Sequence, residues 1–154
     1  MQATKLSDVF ESSIKDFSPE DKKILKTPID QLSPEIVLKL ETLFQSENSL
    51  DEAYMNIGAT LGQAAWGKDA LKEGKKLFSK YKKKLQKQLC HYPPLRLFCE
   101  NQNVTDGLSV AAMIAGGLLQ SMTFNIDVVS ASLILSKMGI RNFCQVEWQT
   151  PSNG

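Results

Sequence analysis

The chain is poor in the residues that carry most enzyme chemistry. It has a single histidine, His91, so a histidine metal pair or a two-histidine acid–base relay has no second member. Its 154 residues contain no Walker loop, no Gly-x-Gly-x-x-Gly, no His-Glu-x-x-His and no EF-hand loop. The opening MQATKLSDVF lacks a basic segment followed by an apolar run, so no secretory leader is expected. Long apolar runs are also missing. The longest uncharged stretch, 107–126, is interrupted by Ser109, Gln120, Ser121, Thr123, Asn125 and three glycines, too polar for a membrane span. No segment alternates apolar and polar with β-branched enrichment, which argues against strands. Cysteines number three, an odd count without a leader, and are expected as reduced thiols in a cytoplasmic protein.

The composition is that of one ordinary globular domain, with 42% hydrophobic and 23% charged residues and a net charge of +1. Helix signals dominate. Ser7 precedes an acidic turn and then Phe10, Ile14 and Phe17 on one helical face. Ser18-Pro19-Glu20-Asp21 and Ser33-Pro34-Glu35 each combine an N-cap, a first-turn proline and acids at the positive end of the dipole. Thr27-Pro28 is expected to stop the second helix, because a residue before proline is pushed out of the α region. Ser49 with Glu52 reads as a capping box for a helix over 50–66, with Gly67 past its end and Trp66 as a core anchor. Within it Gly58 and Gly62 predict a close helix crossing. Asp69 then caps a helix over 70–90, and Pro94 opens a short turn through Phe98 and Cys99.

The segment 107–122, started by Thr105-Asp106, is apolar on nearly every side and predicts a buried central helix. A last long helix starts near Asn125 or Asp127 and ends at Gly139, with Ile140 folded back. The expected fold is all-α: a single-domain bundle of about six to eight helices over 1–148, with a frayed tail at 149–154.

Charge is polarised. Residues 1–55 hold eleven acids against six lysines, net −5, whereas residues 68–87 hold nine lysines against Asp69 and Glu73, net +7. On a helical wheel Leu71, Gly74, Leu77, Phe78, Tyr81, Leu85, Leu89 and Tyr92 fall on one side. Lys68, Lys72, Lys75, Lys76, Lys80, Lys83 and Lys87 fall on the other. A lysine run of this kind is most often a solvated outer face. As a binding surface it fits an anion, although it has no arginine for bidentate contact and no interleaved aromatic for base stacking.

Cys90, His91, Cys99 and Cys144 have the ligand types of a zinc site, but adjacent Cys-His is poor tetrahedral geometry and the spacings do not fit, so no metal is expected. Successive helical residues point about 100° apart, so Cys90 and His91 do not face each other as a nucleophile–base pair. Trp148, in a polar terminal segment, either folds back onto the body or is left for a partner. The leading expectation is a non-catalytic interaction module, an adaptor, regulatory or accessory subunit, binding another protein or a second copy of itself. The alternative is an anion-surface binder, for nucleic acid or an anionic membrane surface. The candidate contact residues are Lys72, Lys75, Lys76, Lys80, Lys83, Lys87 and Trp148. No catalytic residue, cofactor, metal or small-molecule substrate is indicated.

Overall fold

The computed structural model describes residues 5–100, 107–121 and 126–149. They form ten helices: α1 (Leu6–Ser13), α2 (Pro19–Asp30), α3 (Pro34–Gln45), α4 (Ser49–Thr60), α5 (Lys68–Leu89), α6 (Pro93–Glu100), α7 (Gly107–Ser121), α8 (Val128–Met138), α9 (Ile140–Phe143) and α10 (Gln145–Gln149). No strand occurs among the described residues, and the fold is the expected all-α bundle. None of these helices is long and apolar enough to cross a membrane.

The axis of the bundle is α7. Residues 108–118 are buried without interruption, and α7 packs against α1, α2, α3, α5, α6 and α8. The apolar stretch with no polar face is satisfied by helices on every side. Gly116 lets α2 approach: a Cβ there would lie 2.5 Å from the Pro28 carbonyl oxygen. The start signal Thr105-Asp106 lies outside the described residues, as do Met122, Asn125 and the tail beyond Gln149.

Three helix starts follow the sequence. Ser18 Oγ accepts from the Asp21 N–H at 3.1 Å, and Ser33 Oγ from the Ile36 N–H at 3.2 Å. Asp127 Oδ1 accepts from the Val129 N–H at 3.2 Å, and its Oδ2 from the Ser130 hydroxyl at 2.9 Å. Each such cap contributes about 1 kcal/mol. At the other end of α8, Gly139 takes φ +90° and Ile140 packs into the core, as a helix stop prefers.

Five local expectations are overturned. Asp69 does not cap the fifth helix, because α5 already starts at Lys68 with Gly67 at the N-cap position and no side-chain capping bond. The first helix begins at Leu6 with no side-chain cap of its own; the Glu41 carboxylate on α3 accepts the Leu6 N–H at 2.7 Å instead. The second helix runs through Pro28 to Asp30. Pro28 is buried where α2 meets Gly116 of α7, and that packing outweighs the local preference of a pre-proline residue. Ser49 lies inside α4 and is buried, with Asn48 at the N-cap position and no capping bond. Finally, α4 stops at Thr60, six residues before Trp66. Gln63 turns the chain with φ +57°, and the Ala64 N–H returns to the Gly58 carbonyl at 3.0 Å.

The α4–α5 pair is an antiparallel hairpin whose backbones touch. A Cβ on Gly58 would lie 2.7 Å from the Ala70 carbonyl carbon, and one on Gly74 2.6 Å from that of Tyr54. Of the two glycines read as a crossing point, Gly58 is one, and its counterpart is Gly74 rather than Gly62, which lies past the end of α4 and faces the Glu73 and Leu77 side chains. The Gly58–Gly74 crossing holds α5 along the outside of the bundle. From α5, Ala70, Gly74, Phe78, Leu85 and Leu89 are buried. Each large apolar side chain so placed contributes about 1.5–3 kcal/mol.

Candidate anion-binding face on the fifth helix

The buried side of α5 leaves its lysines no choice of direction. Lys68, Lys72, Lys75, Lys76, Lys80, Lys82, Lys83, Lys84 and Lys87 are all exposed. None pairs with a carboxylate among the described residues, where the ion pairs are Lys39–Glu35, His91–Glu147 and Arg96–Glu100. Two lysines instead lie over aromatic rings: Lys75 Nζ is 5.9 Å from the Tyr54 centroid, and Lys84 Nζ 5.8 Å from that of Tyr81. The acids of the first third thus do not neutralise the face within the molecule. Over 22 residues the helix is about 33 Å long, so the lysines form one extended ridge.

Trp66, expected in the core, is 59% exposed. It is the one aromatic among the described residues in that class, and it sits in the α4–α5 loop just before Lys68. It stands in the loop because α4 ends at Thr60. Even in a helix continued at 100° per residue, the indole would lie about 180° from Ile57, away from the apolar side. The glycines at 62 and 67 bracketing it were the available signal for a loop.

Trp148 takes the first of its two courses. It packs against the core, and its indole N–H donates to the Cys90 carbonyl at 2.8 Å. The whole segment 139–149 is strapped to the α5–α6 junction. Gln86 Nε2 donates to the Phe143 carbonyl at 2.6 Å, and Arg96 Nη2 to the Trp148 carbonyl at 3.1 Å. Arg141 Nε donates to the Cys99 carbonyl at 2.9 Å, joined by its Nη2. His91 Nε2 stands 3.0 Å from Glu147 Oε2.

The strap contains a disulfide, Cys90–Cys144, with Cα atoms 5.4 Å apart. This corrects the expectation of three reduced thiols. The partners lie 54 residues apart in sequence, a separation that no local pattern reveals. Cys99 is free and buried, and burial pushes its thiol up to about 12. A thiol so protonated is not a nucleophile near neutral pH. Native protein at pH 8 is therefore expected to resist iodoacetamide, to take up one label per chain when denatured without reductant, and three when denatured and reduced. Mass spectrometry counts them, and rapid labelling of the native chain would contradict this placement.

No group of three or more histidine, cysteine or acidic side chains poised for a metal occurs among the described residues. A cleft of about 620 Å³ opens between α3, α4 and the start of α8, with Leu38, Leu43 and Val129 beside Asn56 and Asp127. Asp127 is committed to its two capping bonds, and Asn56 Nδ2 donates to Ser130 Oγ at 3.1 Å. Those side chains serve the α4–α8 contact rather than a free acid–base pair. Comparison with protein-family models, with curated proteins and with solved structures finds no match to this chain.

Proposed function

We propose that this chain is a non-catalytic helical interaction module that binds an anionic surface through the lysine face of α5. The supporting observation is the ridge of nine exposed lysines without a carboxylate partner among the described residues. Seven net positive charges on one helix repel one another, and an anionic partner relieves that repulsion. The candidate contacts Lys72, Lys75, Lys76, Lys80, Lys83 and Lys87 all lie on this ridge. Trp148 serves the strap instead.

Inorganic polyphosphate tests the reading without assuming a partner. At low salt it is expected to bind, with affinity falling steeply as salt rises. The triple change Lys76→Glu, Lys80→Glu and Lys83→Glu should weaken binding by at least about tenfold. Unaltered binding by that variant ends the proposal.

A second reading is an adaptor or accessory subunit that binds another protein or a second copy of itself. What favours it is the net −5 of residues 1–55, which can meet the lysine face of another chain. Light scattering discriminates: salt-sensitive self-association supports this reading, and a strict monomer removes the homo-oligomer. A cytoplasmic location belongs with both readings. The Cys90–Cys144 pair weighs against it, because cytosolic thiol buffers keep such pairs reduced.

A further inference from the structure

Resting on the lysine face as the working surface, we infer that its partner is an anionic lipid bilayer and that Trp66 anchors the chain in the bilayer interface. Three observations converge. The first is the lysine-only character of the ridge. Lysine is depleted in protein–protein interface cores, and holding each of these long side chains in one rotamer is entropically unfavourable. Nucleic acid is usually gripped with arginine forks and stacked aromatics, and α5 offers neither among its exposed residues. A bilayer of anionic headgroups needs no fixed geometry, and each lysine brought near it is attracted independently.

The second is the exposed indole of Trp66. Tryptophan favours the membrane–water boundary, where its ring meets the acyl edge and its N–H the headgroups. The third is the way the loop presents it. Gln63 and Gly67 both have positive φ, +57° and +113°, so the chain turns on either side of Ala64–Trp66. The Ala64 N–H is bonded to the Gly58 carbonyl at 3.0 Å and the Ala70 N–H to the Ala65 carbonyl at 3.1 Å, which holds the turn in place. The same loop lies alongside the ridge, because Gly62 and Ala64 border a surface depression with Lys72 and Lys76. Asp69 and Glu73 line it too, so positive charge is diluted at the Trp66 end and concentrated from Lys75 to Lys87. The lysines would draw the chain to the surface, and the indole would enter where repulsion among lysines is least.

The test uses the full chain with vesicles of phosphatidylcholine alone or mixed with phosphatidylserine, followed by sedimentation and tryptophan emission. Binding to the mixed vesicles only, lost at high salt, is the expected result. Trp66→Ala should weaken it by about tenfold. The blue shift on binding should disappear in Trp66→Phe, whose remaining indole is the strapped Trp148. Single-stranded DNA bound in place of vesicles overturns the bilayer inference and leaves the anion-binding proposal standing. Binding of polyphosphate, DNA and vesicles all absent at low salt overturns both. Vesicle binding that ignores Trp66→Ala, with no shift to lose, overturns the anchor.

Discussion

Gly74→Ala is expected to lower the unfolding free energy by about 3 kcal/mol, although alanine in an isolated helix would raise it by about 1 kcal/mol. The sign is set by what the new methyl meets. At Gly74 it would fall onto the Tyr54 carbonyl, with the carbonyl carbon at 2.6 Å, and Gly58 stands in the same relation to Ala70. A side chain in that position could rotate aside. A helical carbonyl cannot, because it is tied into its own hydrogen-bond ladder, so α4 and α5 have to separate. Separation opens gaps around Ala53, Ile57 and Phe78, all buried in this hairpin. The edge-on contact of the Tyr54 and Phe78 rings, centroids 5.9 Å apart, is lost with it. Gly117→Ala is the matched control. There the new methyl meets the Tyr92 ring at 2.9 Å and a Leu89 methyl at 3.2 Å, side chains that can shift, so its effect should lie much closer to zero. Urea titrations of both variants decide the matter. A Gly74→Ala protein as stable as the parent would show that the hairpin is not held by backbone contact.

What could be read from the sequence divides along the range of the forces involved. Ser18, Ser33 and Asp127 cap helices through bonds to residues two or three positions away, so a four-residue window contains all the chemistry. The burial of α7 was legible for a related reason: a helix without a polar face has to be covered, whichever neighbours do it. The lysine ridge was legible because the buried side of α5 is marked at every turn by apolar or small residues. Several of the misreadings involve a distant partner. Pro28 stays helical because of Gly116, 88 residues on. The α1 N-terminus is capped by Glu41, 35 residues on, so Ser7 is not needed there. Trp66, read as a core anchor, lies in a loop six residues past the end of α4, and the helical wheel itself sets position 66 opposite Ile57. For the candidate surface, the lysines were visible beforehand and the residue argued to anchor them was not.

Removing the disulfide is the other large expected effect. In the chain-entropy picture, a link closing a loop of 54 residues' separation restricts the unfolded ensemble by about 4 kcal/mol. Cys90→Ala with Cys144→Ala should lower stability by that order, and reductant should do the same to the parent but not to the double variant. The native strap gives reason to expect local order to survive. Trp148 and Arg96 still bond across it, Gln86 still holds the Phe143 carbonyl, and Ile140 and Phe143 remain buried apolar anchors. Loss of the covalent link should therefore appear chiefly in the global unfolding midpoint. Two measurements separate the sources. Urea unfolding with and without reductant gives the total. Amide exchange at residues 140–149 reports whether the strap opens alone. Fast exchange there at unchanged global stability would mean that the link pins one segment rather than restraining the whole unfolded chain. The lysine face supplies a further check, since α5 ends at Leu89, one residue before Cys90. If α5 is held chiefly by its hairpin with α4, polyphosphate affinity should be unchanged in the double variant wherever it remains folded, whereas Gly74→Ala should alter it.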